Sequence, residues 1–449
     1  MASNIQMTDG SIGKKMFLLA VPLICSNLLQ VLFNLSDLAV AGRFAGAEAL
    51  GAVGSTTTIV GLFTMFIIGL SSGINALAAR YIGAGRLKDL TETIHSGLIL
   101  MVILGFILLL LGVLGSGPLL RLLDTREDLY DQAHLYLQIY FLGLPALGIY
   151  NFGNAVFSAS GNTKKPLIFL AASGLVNIGL NLFFVIVCHL DVAGVAIASA
   201  VSQYLSAFLI LLALFRDEGS CRLSLPLLRL TGDKTRSLLM LGLPAGFQNA
   251  IFMLANLFVQ GAVNSFPTVI VEGNSAAANA DNLVYEVMNA FYSAGSSFIS
   301  QNYGALKKSR ILKSYFWCVG FAFFAALMQG ILLFLFGSPF LSIFTTEKAV
   351  VEAGLLRLNI MAFSYAFSAF MDGTISASRG LGHTIVPTII VIMGSCVFRI
   401  IWIYTIFAHF HTIESLYILY IFSWSITAIA EIIYFVYVFR RNPLLKGRA

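Results

Sequence analysis

Asp37 sits inside a long apolar stretch near the start of this 449-residue chain. A carboxylate withdrawn from water must exchange a proton, hold a cation or pair with a base. No Lys or Arg lies within the first six apolar stretches away from their ends, so pairing has no ready candidate. Asn27, Gln30, Asn34 and Asp37 recur at steps of 3, 4 and 3 and share one helical face. Further along, Asn177 and Asn181 stand one turn apart, and Ser199 adds a hydroxyl. Amide and hydroxyl oxygens beside one carboxylate suit a small hard cation such as Na⁺, or a proton-linked hydrogen-bond network. Pro22 lies fifteen residues before Asp37, where it removes a helix hydrogen bond and lets the helix bend as the charge at Asp37 changes.

A second polar surface follows in the other half. Asn249, Asn256, Gln260 and Asn264 interrupt one apolar stretch. In the next, Ser275, Asn279, Asn282, Glu286, Asn289 and Ser293 alternate steps of 4 and 3 down a single stripe. Such a stripe cannot face lipid, where each unpaired polar group costs several kcal/mol. Hydrogen-bond glue between helices is the bland explanation, but glue needs one or two Ser or Asn, not six groups including a carboxylate. The stripe is therefore expected to line water in a cavity between the halves. Its expected lining is Asn34, Asn256, Gln260, Asp281, Asn282, Glu286 and Asp372, with Tyr285 and Phe291 as apolar surface. A mostly apolar site with a few acceptors and net negative charge suits a cationic or amphiphilic small molecule.

The elements that carry these residues follow from composition. Hydrophobic residues make up 58% of the chain and charged residues 11%, against about 25% charged in a soluble domain. Windows of about 20 residues give roughly twelve apolar stretches, near 16–40, 50–79, 93–117, 131–157, 166–188, 193–215, 237–263, 274–302, 313–336, 350–377, 385–408 and 415–439. The expected fold is thus an all-α integral membrane protein of about twelve transmembrane helices.

The chain is also written twice. Pro118 and Pro339, Pro166 and Pro387, and Gly161 and Gly382 lie 221 positions apart, while Pro22 with Pro244 and Asn34 with Asn256 lie 222 apart. Duplication at this length in a membrane protein points toward transport. Six stretches per half is even, so the halves are expected to be parallel six-helix lobes, 1–216 and 237–449, joined by a polar linker, 217–236. Asp37 falls opposite Val259, so its carboxylate occurs in the first copy alone.

With both termini placed in the cytoplasm, 21 of the 27 basic residues fall in inner segments, including Lys446 and Arg448 near the end. Arg43, Arg121, Arg126, Lys348 and Arg357 are assigned to outer segments, which leaves Arg399 as the one deeply placed base. This imbalance is the positive-inside signature of a multi-pass protein of the cell (inner or plasma) membrane. It accounts for the net charge of +6 without a nucleic-acid partner. The first apolar stretch is too long for a signal peptide and lacks a small-residue cleavage site, so it reads as a retained helix. The five cysteines are scattered and form no CxxC pair, which indicates neither a metal cluster nor a disulfide framework. No paired-Asp motif, His cluster or nucleophile constellation suggests an enzyme. No cofactor is expected beyond a coupling ion, and a monomer is expected.

The chain resembles the multidrug and toxic compound extrusion (MATE) transporters of the multidrug, oligosaccharidyl-lipid and polysaccharide flippase superfamily. The stretches that carry the resemblance are Leu243-Pro244, Ser300-Gln301-Asn302-Tyr303-Gly304-Ala305, Arg379-Gly380-Leu381-Gly382-His383-Thr384 and Arg399-Ile400-Ile401-Trp402. It covers nearly all of 14–440 and implies antiport of organic cations against H⁺ or Na⁺. The family's first-span Asp falls on Asp37, its fifth-span Asn on Asn177 and its sixth-span Thr position on Ser199. Asn181 stands where many relatives carry a second acid, which leaves a monovalent cation resting on Asp37 alone and favours H⁺. The seventh-span Glu of one branch is absent between Phe247 and Asn256. A lipid-linked oligosaccharide flippase of the same superfamily is the alternative reading, followed by a major-facilitator transporter.

Overall fold

A computed structural model of the chain describes residues 5–442; Lys446 and Arg448 lie outside the described residues. All regular structure among the described residues is helical. In chain order the helices are α1 (Ile12–Val40), α2 (Ala47–Gly83), α3 (Leu87–Leu122), α4 (Glu127–Phe141), α5 (Leu144–Ala159), α6 (Lys164–Leu182) and α7 (Asp191–Phe215). After a linker come α8 (Gly232–Val263), α9 (Thr268–Gly304), α10 (Lys308–Leu341), α11 (Lys348–Gly380), α12 (Ile385–Phe410) and α13 (Ile413–Arg441).

Ten of these helices are long and apolar enough to cross a membrane. The expected fourth span is a bent pair, α4 and α5, meeting at 47°. Pro145 has no N–H to continue the helix, so the chain breaks at Leu142 and Gly143. With that pair the apolar spans among the described residues number eleven, and α9, the expected eighth span, is not apolar enough to count with them. At 37 residues it is about 55 Å long, and its polar stripe lowers its hydrophobicity.

The chain forms two compact units. Among the described residues, the first comprises Cys25–Ala250 with residues 5–6, and the second comprises Met7–Ile24 with residues 251–442. In the first unit, Leu70, Ile74, Phe141, Phe152 and Phe157 centre a continuous apolar core. Within it α2 and α8 approach at glycines. A Cβ at Gly73 would lie 2.7 Å from the Gly242 nitrogen, and one at Gly242 would lie 2.8 Å from the Leu70 carbonyl oxygen. In the second unit, α9, α10, α11 and α13 bury Ile299, Tyr315, Val319, Ala377 and Phe435. Proline again sets a break, since α10 kinks at Phe336 just before Pro339.

The duplication is visible in the turns. Gly161 and Gly382 end their helices at φ 86° and 87°, left-handed values that glycine adopts without a Cβ penalty. The Asn162 N–H then donates to the Phe157 carbonyl and the His383 N–H to the Ser378 carbonyl, both at 2.9 Å. Gly85 and Leu306 form a second such pair at φ 68° and 57°. The leading segment is anchored in the second unit. The Met7 carbonyl accepts from Asn302 Nδ2 at 3.2 Å and Arg310 Nη2 at 2.9 Å, and Asp9 pairs with Lys307 at 2.7 Å.

Candidate functional site

In the first unit the residues singled out by type and spacing converge. Asp37 is buried on α1, Asn177 and Asn181 on α6 and Ser199 on α7. Asn181 Nδ2 donates to Asp37 Oδ1 at 2.5 Å, and Ser199 Oγ donates to Asp37 Oδ2 at 2.8 Å. Asn181 Nδ2 also donates to Asn177 Oδ1 at 3.2 Å, so the four side chains make one network.

Local sequence explains the convergence. Gly174, one turn before Asn177, leaves the space that the Phe33 ring fills, which lets α1 lie close to α6. π-helical turns at Ala41–Ala45 and Phe183–Val187 follow the two site segments, a distortion that recurs at functional positions. Pro22 is buried within a continuous α1, and Pro244 occupies the matching place in α8.

Chemically the site holds a single carboxylate with neutral partners. None of the ion pairs among the described residues includes Asp37. Asn181 is fully buried, and its Oδ1 makes no hydrogen bond, leaving one more acceptor. The oxygens of Asp37, Asn177 and Asn181 suit a proton or a small cation. No group of three or more His, Cys, Asp or Glu suited to a metal ion occurs among the described residues.

The second unit distributes its polar residues differently. Along α9, Ser275, Asn282 and Ser293 are exposed and Asn279, Glu286 and Asn289 half-buried, while Ala276, Ala277, Ala280 and Val284 take the buried face. Asn34, on α1 of the first unit, is exposed. Asp281 belongs to a tight cluster in which it accepts from Arg357 and Tyr365, and Arg357 also donates to Asn274. Gln260 joins it by accepting from Asn274 Nδ2 at 3.1 Å. Asn256 accepts from Arg399 Nη1 at 2.6 Å. The Arg399 guanidinium lies 4.6 Å from the ring centres of both Phe252 and Tyr420, and its Nη2 makes no hydrogen bond. Asp372 is half-buried on α11, where it interacts electrostatically with Arg379 and Arg399.

Arg357 corrects one expectation from the sequence. It lies within α11 and is 5% exposed, so it is neither an outer-segment residue nor does it leave Arg399 the one deep base. Its position near a span end allows a long side chain to reach water, but Asp281 on α9 draws it inward. The steps of the α9 stripe omit Asp281, so sequence spacing carried no sign of this pair.

Helices of this length and composition, written twice, define an integral membrane protein. The MatE family model matches the chain twice, at residues 22–183 and 244–405. The chain belongs to that family, whose members are transporters and not enzymes. The two matches start 222 residues apart, the interval between Pro22 and Pro244.

Among relatives, a probable multidrug resistance protein (YpnP) of Bacillus subtilis is 29% identical over 386 residues, covering 85% of this chain and 86% of its own. A protein named FAD transporter from Shewanella oneidensis is 25% identical over 354 residues, covering 77% of each chain. A solved structure of a MOP superfamily transporter from Pyrococcus furiosus has TM-score 0.91 at 20% identity, covering 98% of this chain and 100% of that one. That last likeness is one of fold.

Proposed function

We propose that this protein is a secondary active efflux antiporter that exports organic cations or amphiphilic compounds in exchange for H⁺ or Na⁺. The observation that carries the proposal is Asp37, a buried carboxylate in a membrane helix with no basic partner, held by Asn181 and Ser199. Its relatives named as multidrug resistance proteins support the same reading. H⁺ is favoured over Na⁺, because one carboxylate and neutral amides make a thin cage for a cation.

The two oxygens of Asp37 respond differently to a proton. Asn181 Nδ2 can only donate, so a proton on Oδ1 would set two donors against each other. The Ser199 hydroxyl can reverse and accept, so the proton belongs on Oδ2. Each uptake then rewires the contact between α1 and α7, and Pro22 supplies the point at which α1 bends. Such a switch drives transport only if the ion binds the outward and inward states with different affinity.

Asn34, Asn256, Gln260, Asp281, Asn282, Glu286 and Asp372 are the proposed substrate contacts. Asn282 is exposed and Glu286 half-buried, whereas Asp281 would first have to leave Arg357. The protein acts as a monomer in the cell membrane with both termini cytoplasmic, a placement supported by its basic residues.

Proteoliposomes loaded with a cationic dye test the proposal. Dye movement should follow an imposed H⁺ gradient or Na⁺ gradient, and movement indifferent to both would overturn antiport.

A second reading is a carrier of anionic amphiphiles, such as a lipid-linked oligosaccharide flippase. The buried Arg399 favours it, since its Nη2 is free of hydrogen bonds and its guanidinium lies near Phe252 and Tyr420. The same liposomes carrying an anionic lipid-linked probe would separate the two readings.

A further inference from the structure

Glu431 on α13 plays no part in the site around Asp37. Its side chain is fully buried, and neither Oε1 nor Oε2 has a hydrogen-bond partner. None of the ion pairs among the described residues includes it. An ionised carboxylate left this bare is among the most costly arrangements inside a membrane protein, and such residues mark ion or proton pathways.

Its surroundings say which ion. Two charged groups on α11 face it, Arg379 and Asp372, while Tyr434 is the titratable neighbour on its own helix. Tyr434 in turn meets His383, its hydroxyl 3.4 Å from Nδ1. From α12, the neutral Ser395 hydrogen-bonds Thr427, one turn before Glu431. Na⁺ would need several oxygen ligands, and the Glu431 oxygens have no oxygen partner, while the guanidinium of Arg379 repels a metal cation. A proton needs neither.

We propose that Glu431 is a second proton-carrying site, located in the second unit and balanced against Arg379. With a proton on the carboxylate, Glu431 rests neutral in its buried place. When the proton leaves to water, the carboxylate formed draws Arg379 toward α13. Each cycle thereby carries one proton at Glu431 in addition to the ion at Asp37. This deepens the antiport reading and rests on it.

Two measurements separate the inference from that reading. The first counts protons bound by the purified protein as pH is moved through neutrality. Glu431→Gln should bind one proton fewer than the parent, and Glu431→Asp should restore the count. An unchanged count in Glu431→Gln would overturn the proposal, whatever transport shows. The second measures H⁺ moved per ethidium exported in proteoliposomes. Glu431→Gln should lower that ratio by one relative to the parent, and an equal ratio would also overturn it. Failure of the parent itself to move H⁺ would defeat the antiport reading instead, while the proton count would still judge Glu431. Should Glu431→Gln fail to insert, a count in Glu431→Asp that stays at the parent value with Arg379→Lys but drops with Arg379→Gln supports the pairing. Indifference to both Arg379 variants refutes it.

Discussion

Ser199 reaches across 162 residues of sequence to hydrogen-bond Asp37, at 2.8 Å between Oγ and Oδ2. That contact joins α7 to α1, and with Asn181 opposite it leaves both oxygens of the carboxylate engaged. The placement makes Asp37 the first residue to alter.

Asp37→Asn should abolish ion-driven export while leaving a protein that inserts and still binds substrate. Substrate binding by fluorescence and dye export in liposomes, measured on one preparation, check this. Export at the parent rate with the parent ion dependence would rule the site out.

Asn181→Asp should introduce a Na⁺ response. A second carboxylate next to Asp37 strengthens the cage for a monovalent cation and exchanges a donor for an acceptor. Export by the variant should rise on adding Na⁺ at constant pH, more than in the parent. A flat response would mean that the number of acids at this place does not select the ion.

The buried Arg357 pairs with the half-buried Asp281, and removing the carboxylate leaves the guanidinium uncompensated. Asp281→Leu should cost about 3–5 kcal/mol of stability, whereas Arg357→Met with Asp281→Leu should cost much less. Thermal unfolding in detergent reads both, and equal losses in the single and double variants would argue against a coupled pair.

Asp9 lies before the first span, and its hydrogen bond and charge attraction to Lys307 hold its carboxyl below the usual carboxylate range. A folded-state value below the unfolded one means that this tie is complete above the ordinary carboxylate pKa of about 3.9. It weakens as pH falls through the lowered value. Amide exchange at Met7 and Gly10 should therefore stay slow from neutral down to mildly acid pH and quicken below it. Asp9→Asn should remove that pH dependence. Exchange that quickens equally in Asp9→Asn would assign the change to another group.

Much of this was legible in the sequence because membrane burial imposes rules that operate along the chain. Apolar length gave the spans, and Pro22 with Pro244 gave the repeat that the two MatE matches share. Asp37, Asn177, Asn181 and Ser199 could be picked out because each is a polar group in an apolar run. The pairing of Arg357 with Asp281 could not, since it depends on which faces of α9 and α11 meet. The bend between α4 and α5 was hidden for a related reason, because its apolar run continues through Pro145.

The glycines at which α2 and α8 touch have a consequence for how this protein can vary. Gly69, Gly73, Gly242 and Gly246 each lie so close to opposing backbone that a single added carbon would sit within about 3 Å of it. No rotamer choice or neighbouring substitution relieves such an overlap, because the obstacle is main chain. In a library holding every single substitution, these four positions should be almost empty of survivors, alanine included. The exposed Asn282 should by contrast accept many residues while changing which compounds the cell resists. Mutational tolerance would then divide the polar and the featureless positions in an unaccustomed way, with the residues that bear no side chain at all being the hardest to replace.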